Sequence, residues 1–349
     1  MLKAIISSQE AEQLKKTFLQ AHNVVILCHI SPDGDAIGSS LALYEFLKRK
    51  GKNVTVIVPN YFPDFLKWMH DADKIIQYDR NYALSKNLIA LADLIVVLDL
   101  NSPERLGDIQ IPFNLSRARK ILIDHHLSTN TPFCDVAISR PTMSSTCELL
   151  YRCFESMNVK TDITIHCAED LYAGLCTDTG RFSYNSNNPE IFIIIAELMQ
   201  KGIDKDVIIR KLYNQNTEGR YRIMGYILSE KLEILRNLHA SIYSLTKEEL
   251  KRFNYIKGDT EGIVNLPLEI KGQKLSISLR EDTDKPIIWV SIRSYDNIPA
   301  ADIAKQFFNG GGHFNAAGGK LTCNMQEAID IAHKAIESYR EVLCNENPT

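Results

Sequence analysis

None of the eight cysteines (Cys28, Cys134, Cys147, Cys153, Cys167, Cys176, Cys323 and Cys344) stands in a C-x-x-C pair. That argues against a thiolate zinc framework. Several of these thiols sit inside apolar runs, where free cysteine behaves as a small hydrophobe, so they read as reduced and the compartment as cytoplasmic. Long apolar runs are also missing. The longest, Ile191 to Ala196, is far too short to cross a bilayer. Residues 1–20 mix Ser, Glu and Lys among their apolar positions, unlike a signal-peptide core, and no membrane partner is expected. Charge of one sign is lacking too: 40 Lys and Arg against 43 Asp and Glu leave a formal net charge of -3. Tight binding to long duplex DNA needs many cation–phosphate contacts, so duplex DNA is not an expected partner. A short oligonucleotide in a local pocket is compatible with this balance. There is no internal repeat and no low-complexity segment.

The 349 residues, 45% of them apolar, suit a globular protein of two domains. The first half alternates strand-like and helix-like segments. Val24–Cys28, Val54–Val58, Leu94–Asp99 and Lys120–Asp124 are continuous apolar runs rich in Val and Ile, as in parallel strands covered on both faces. Helical stretches separate them, so the expected fold class is α/β with an N-terminal doubly wound, mainly parallel sheet. Helices are expected over about Ala36–Lys50, Met143–Met157 and Cys167–Thr177, and Ser145 and Glu148 have capping-box spacing. The pattern stays helical from about Pro189 to Leu238, where Tyr221, Met224, Leu228, Leu232 and Leu235 recur at helical spacing. After His239 the texture changes. Strands are expected at Leu275–Leu279 and Ile287–Ile292, then helices over Ala300–Phe308 and about Gln326–Leu343, giving a smaller C-terminal α/β domain. The expected division is 1–190, a helical linker at 191–238, and 239–349. The apolar linker permits a homodimer without requiring one.

Three strands end in polar residues of one chemical kind. The first leads into His29, Asp33 and Asp35, the next ends at Asp99, and the last at Asp124-His125-His126. Parallel strands point the same way, so these ends converge on one sheet edge, where open α/β sheets bind ligands. The helix over Cys167–Thr177 delivers Asp178. Taken singly, each has a bland reading: Asp33-Gly34 is more often a turn, Asp99 and Asp124 could cap the next element, and paired histidines arise by chance. Together, His29, Asp33, Asp35, Asp99, His125 and Asp178 supply two imidazoles and four carboxylates, close to the minimum for two divalent cations sharing one carboxylate. Oxygen ligands mixed with imidazole suit manganese, with magnesium, cobalt or iron as further candidates. Such a pair clamps a phosphoryl group and acidifies a water. Arg105, close to Asp99 in sequence, could reach a substrate phosphate, although an exposed arginine is usually just solvated.

On these residues the chain resembles the DHH-family phosphoesterases, named for the triplet present here as Asp124-His125-His126. His29-x-x-Pro32-Asp33-Gly34-Asp35-Ala36-x-Gly38-Ser39 matches the family's first motif, Asp99 its second and Asp178-Thr179-Gly180 its fourth. Gly310-Gly311-Gly312-His313, followed by Ala316-Ala317-Gly318, resembles the associated DHHA1 domain. The resemblance implies that His29, Asp33 and Asp99 hold one metal. Asp35, Asp99, His125 and Asp178 would hold the other, with Asp99 bridging. It implies that Asp124 orients a ligand and that His126 donates a hydrogen bond to the scissile phosphate.

Glycines let a ligand approach main-chain N–H groups, although a glycine run is often only a flexible loop. With the resemblance, Gly310, Gly311, Gly312, His313 and Arg293 are expected to grip a terminal phosphate or base. Asn309 stands where the family run has a further glycine, and Asn tolerates positive φ best among the other residues. Compact members of the family form the nano-RNase/pAp phosphatase group. That implies hydrolysis of very short oligoribonucleotides and removal of the 3′-phosphate from 3′-phosphoadenosine 5′-phosphate. The glycine-rich domain would hold one substrate end while the metals cut the neighbouring phosphate, as a length ruler. Alternatives are a linear dinucleotide hydrolase acting on pApA or pGpG, a RecJ-type single-strand exonuclease, an inorganic pyrophosphatase, and a nucleotide-binding regulator with a defunct site. The near-neutral charge speaks against the exonuclease, and the complete ligand set against the regulator.

Overall fold

The computed structural model describes residues 2–127 and 132–345. The chain divides into two compact units, Met1–Gln215 and Asn216–Thr349. In the first, six strands are described: β1 (Asn23–Leu27), β2 (Asn53–Val58), β3 (Ile76–Gln77), β4 (Leu94–Leu98), β5 (Arg119–Asp124) and β6 (Val136–Ser139). They pair in the order β3-β2-β1-β4-β5-β6, every pair parallel. Alternate residues of each strand enter opposite cores. Val24, Ile26, Val96 and Ile121 belong to one, and Val25, Leu27, Val97 and Leu122 to the other. Burial on both faces is why these strands read as unbroken apolar runs. The helices are α1 (Ser8–Gln20), α2 (Gly34–Arg49), α3 (Tyr82–Leu91), α4 (Gln110–Leu115), α5 (Thr146–Ser156), α6 (Ile165–Asp178), α7 (Glu190–Gln200) and α8 (Lys205–Tyr213). The doubly wound parallel sheet is as the sequence implies. Its strand order reverses between β1 and β4, the switch point where such sheets leave a crevice beyond the strand ends.

The second unit contains α9 (Glu218–Tyr226), β7 (Glu233–Leu235), β8 (Ala240–Leu245), α10 (Lys247–Arg252), β9 (Leu275–Glu281), β10 (Ile288–Ser294), α11 (Ala300–Phe307), β11 (Gly311–His313), β12 (Ala316–Leu321), α12 (Met325–Ser338) and α13 (Arg340–Cys344). The strand order is β11-β12-β10-β9-β8-β7, antiparallel except for β8 with β9. Ile277, Leu279, Val290 and Ile292 pack with α11 and α12 residues such as Ile303, Ala332 and Ile336 in one core. Residues 346–349 of the expected 239–349 domain lie outside the described residues.

The segment expected to be a linker, 191–238, is divided between the units. Ile191, Ile194, Leu198, Ile208 and Leu212 of α7 and α8 join the first core. Ile223 and Ile227 join a core of the second with Tyr243, Leu245 and Leu250. The helical stripe expected there has the wrong phase: Tyr221 and Leu228 are exposed while Ile223 and Ile227 are buried. A single π-turn, Ile227–Lys231, ends the helix, and Leu235 lies in β7. Helix periodicity alone could not show that the chain changes element at Leu232. No described helix is long and apolar enough to cross a membrane, and all eight cysteines are free thiols.

Candidate metal centre

β1 runs out at Leu27 and its chain turns through His29, pinned where the Ile30 N–H donates to the Arg105 carbonyl (2.7 Å) and the Ser31 N–H to Asn60 Oδ1 (2.7 Å). Asp33 then caps α2, its Oδ1 accepting from the N–H groups of Asp35 (3.1 Å) and Ala36 (3.0 Å). Asp35, in the first turn of α2, accepts from the Thr146 (2.6 Å) and Cys147 (2.9 Å) N–H groups at the start of α5. Helix N-termini favour anions, so one carboxylate both fixes α5 and is fixed by it. Asp99 follows β4 in a left-handed conformation (φ 61°), its N–H on the Ile123 carbonyl and its Oδ1 accepting from the Thr146 hydroxyl (2.9 Å). β5 ends at Asp124 and leads to His125 and His126. Asp178 is the last residue of α6, which packs tightly against α2.

Both metal-facing imidazoles have a defined orientation. His29 Nδ1 lies 2.8 Å from the Ile30 carbonyl and His125 Nδ1 3.2 Å from the Met143 carbonyl, so each Nδ1 donates to a carbonyl and each Nε2 is turned toward the carboxylates. His29 Nε2 is buried with no hydrogen-bond partner, 3.8 Å from Asp33 Oδ2 and 3.4 Å from Asp99 Oδ2. His125 Nε2 lies 3.6 Å from Asp99 Oδ1, 3.4 Å from Asp178 Oδ2 and 3.9 Å from Asp35 Oδ2. The two oxygens of Asp99 therefore face different imidazoles. The structure brings together all six residues singled out from sequence, in groups His29–Asp33–Asp99 and Asp35–His125–Asp178 whose ligand atoms lie within 4.8 Å of one another. A third such group is Asp99–His125–His126.

The electrostatics suit a bound cation. Burial first, then the charges of Asp99, Asp178 and Asp33, push the Asp35 carboxyl well above the usual carboxylate range. Burial and the same acidic neighbours raise Asp178 to about 7 against the pull of His125. Burial would lower His29, but the facing carboxylates of Asp33 and Asp99 outweigh it and hold the ring up at about 10. Four carboxylates crowd together, Asp35 and Asp99 of them buried, and an orphaned imidazole nitrogen points among them. These groups are able to hold metal.

Beside them, buried Asp124 accepts from His126 Nδ1–H (2.7 Å). Burial would lower the His126 ring, but that bond and the charges of Asp99 and Asp124 raise it. Arg105 Nη1 sits 3.0 Å from His126 Nε2. The ring face expected to reach a phosphate is thus engaged by Arg105, and the guanidinium is fixed beside the cluster.

Sequence reasoning missed Thr146, which contacts both Asp35 and Asp99, and the buried chain behind it. Ser145 Oγ accepts the Glu148 N–H (3.0 Å), as its spacing implies. The Glu148 carboxylate, however, takes the N–H and hydroxyl of Ser144 and pairs with the nearly fully buried Arg152. A serine–threonine cluster before a helix reads locally as a cap, so its contacts with residues 47 and 111 positions away are invisible in sequence. Gly174 was missed for the same reason. A Cβ there would collide with Cys147 Sγ and lie 3.0 Å from Asp35 Oδ1. Gly174→Ala is expected to destabilise the first unit by about 1–3 kcal/mol and to lose activity through the displaced Asp35. A denaturation midpoint and a rate on the same preparation check this.

In the second unit the glycine run is an edge strand rather than a loop. Gly311–His313 form β11, paired only with β12. Gly312 has φ 150°, and a Cβ there would press on Ala316 and Ala317, so close strand crossing requires the glycine. Asn309 adopts φ 49°, the tolerance expected of it. Arg293, half-buried on β10, sits opposite Ala316, which in turn faces His313.

The model of the DHH family, N-terminal domain, matches residues 23–175, and that of the DHHA1 domain matches residues 239–339. A crystal structure of an exopolyphosphatase-related protein from Bacteroides fragilis is 47% identical with a TM-score of 0.93, covering 99% of this chain and 100% of that one. The chain belongs to the DHH family. A Thermus thermophilus protein named bifunctional oligoribonuclease and PAP phosphatase NrnA is 27% identical over 324 residues, 92% of this chain and 90% of that protein. RecJ from Thermus thermophilus, in complex with Mn2+, has a TM-score of 0.54 at 11% identity, covering 96% of this chain and 54% of RecJ; that likeness is one of fold.

Proposed function

We propose that this DHH-family chain is a cytoplasmic phosphoesterase that uses two divalent cations. It would hydrolyse very short oligoribonucleotides to mononucleotides and remove the 3′-phosphate of 3′-phosphoadenosine 5′-phosphate. The observation that carries this is Asp99, whose Oδ2 faces His29 and whose Oδ1 faces His125, one carboxylate offered to two cations. His29, Asp33 and Asp99 would hold one ion, and Asp35, Asp99, His125 and Asp178 the other. The mixed oxygen and imidazole set favours manganese. Bound there, the ions supply an acidified water and neutralise charge on the phosphoryl oxygens. The chain's own groups do the rest. Asp124 holds His126, His126 holds Arg105, and the remaining guanidinium N–H groups suit a phosphate oxygen. In the second unit, Arg293, His313 and the edge strand Gly311–His313 would grip a terminal phosphate. The name of the Thermus thermophilus relative supports the substrate class.

A panel tests the reading: a dinucleotide, a pentanucleotide RNA, 3′-phosphoadenosine 5′-phosphate, long single-stranded DNA and inorganic polyphosphate, each with manganese. Rapid loss of the short RNAs and the bisphosphate is expected. Preferential attack on long DNA or polyphosphate, or no turnover, contradicts it.

Metal uptake should release protons, because Asp178 is raised to about 7 and Asp35 well above its usual range in the metal-free protein. Manganese affinity is therefore expected to fall by about tenfold or more per pH unit below about pH 7 and to go on rising, less steeply, above it, because His29 is held up at about 10 and must also give up a proton to bind metal. Calorimetric titrations in buffers of different ionisation enthalpy read both the affinity and the protons. A pH-independent affinity would mean these carboxylates are already ionised.

A further inference from the structure

The register of the second sheet sorts its side chains into rows, since residues directly opposite in antiparallel pairs share a face. His313, Ala316, Arg293 and Ser276 make one row, and Gly311, Gly318, Ser291 and Ser278 the next. Lys320, Trp289 and Arg280 make the third. The burial of β10 alternates accordingly: Ile288, Val290 and Ile292 are in the core while Trp289, Ser291 and Arg293 face out. The third row thus lies on the same face as Arg293 and His313, about 13 Å along the strand. On β10, β12 and β11 the row between them has only glycine and serine side chains, so nothing bulky on those strands separates the two cationic ends; Tyr243 stands at the β8 end of that row.

Three features mark the third row as more than solvated surface. Trp289 is 39% exposed, yet its indole N–H donates to Asp282 Oδ2 at 2.7 Å, which fixes the ring in one orientation. Arg280, Trp289, Ser291, Asn309, Gly319 and Lys320 line one shallow depression. The cations flanking the indole form no ion pair among the described residues, although Arg280 packs over the Tyr255 ring at 5.5 Å. Ion pairs of this unit among the described residues are Arg222–Glu218, Lys231–Glu249, His333–Glu233 and Arg340–Glu337. None involves Arg280, Arg293 or Lys320. An oriented aromatic with cations on both sides suits a single nucleic-acid strand, the ring stacking a base and the cations taking phosphates.

We propose that Trp289, Lys320 and Arg280 form a second nucleotide-binding subsite for single-stranded RNA, which gives the enzyme its preference among short substrates of different length. The subsite rests on the oligoribonuclease reading above and extends it. A substrate held at Arg293 and His313 reaches Trp289 only if it continues across the glycine–serine row. A dinucleotide engages less of this strip than a pentanucleotide. Polyphosphate, with no base, gains nothing from the indole.

The test compares kcat/KM for a pentanucleotide and a dinucleotide RNA in the wild type, Trp289→Ala and Trp289→Phe. The pentanucleotide-to-dinucleotide ratio is expected to drop on the order of tenfold in Trp289→Ala, mainly through KM, and to recover in Trp289→Phe, which keeps a stacking face. Equal losses on both substrates, or no change in the ratio, overturn the proposal. Binding is read separately. The chain has two tryptophans, Trp68 and Trp289, so in a Trp68→Phe protein the indole fluorescence reports on the subsite alone. Without metal, the pentanucleotide should quench it, and Lys320→Ala in that background should weaken the titration on the order of tenfold. An unquenched indole overturns the subsite. If the wild type cleaves no RNA, the oligoribonuclease reading fails while the titration still decides whether the strip binds it.

Discussion

Asp99→Asn is expected to reduce kcat/KM by about 10³-fold or more, about 4 kcal/mol of transition-state stabilisation, without unfolding the protein. Asn is chosen because the position is left-handed, φ 61°, and Asn is among the side chains that tolerate it. Its amide oxygen can still accept from the Thr146 hydroxyl, so the local frame survives while the shared negative charge is lost. The same change should leave the metal-free protein as stable as the wild type or more so. Removing one of four crowded carboxylates relieves the repulsion that raises Asp35 and Asp178. Steady-state rates with excess manganese and a thermal midpoint in chelator check both halves. Activity above about a tenth of wild type would show that Asp99 is not shared between cations. Lost activity with a lowered midpoint would point to misfolding instead.

Asp170→Asn is expected to stabilise the first unit at neutral pH by about 1–3 kcal/mol. Asp170 sits on α6 at 1% exposure, and neither carboxylate oxygen has a hydrogen-bond partner. Burial first, then the charges of Glu169, Glu45 and Asp71, raises its carboxyl well above the ordinary range. The native protein therefore holds a proton that the unfolded chain releases above about pH 4. Wild-type stability attributable to this group is greatest below that pH and declines as the pH rises. An amide of the same shape has no proton to lose, so the two stability curves should converge in acid and separate toward neutrality. Denaturant titrations at about pH 4.5 and 7 read this directly. A variant destabilised at both would mean the carboxylate is ionised and held by a bound cation.

What could be read from the sequence follows from where each signal resides. Strands β1, β4 and β5 were legible because burial on both faces leaves unbroken Val and Ile runs, and their polar ends then fell on one edge. The six candidate ligand residues follow from those ends and from one helix terminus, all local patterns. β6 and β8 were not anticipated. One is four residues long, and in the other Ser241 and Ser244 interrupt the apolar run of a fully buried strand just after a left-handed His239. The strand at Gly311–His313 was not anticipated because glycine signals freedom, whereas here it serves close strand pairing. Thr146, Glu148, Arg152 and Gly174 act through contacts between distant segments, which no local spacing encodes. The division of 191–238 between two cores was hidden for the same reason: a helix pattern shows a buried face without showing which core buries it.

The account depends on the clustered carboxylates and imidazoles existing to hold a pair of cations, and manganese-anomalous diffraction from crystals of this protein grown with manganese tests that most directly. Two peaks are predicted, one among His29, Asp33 and Asp99 and the other among Asp35, Asp99, His125 and Asp178, with Asp99 touching both. A single peak, or none among these side chains, would contradict it.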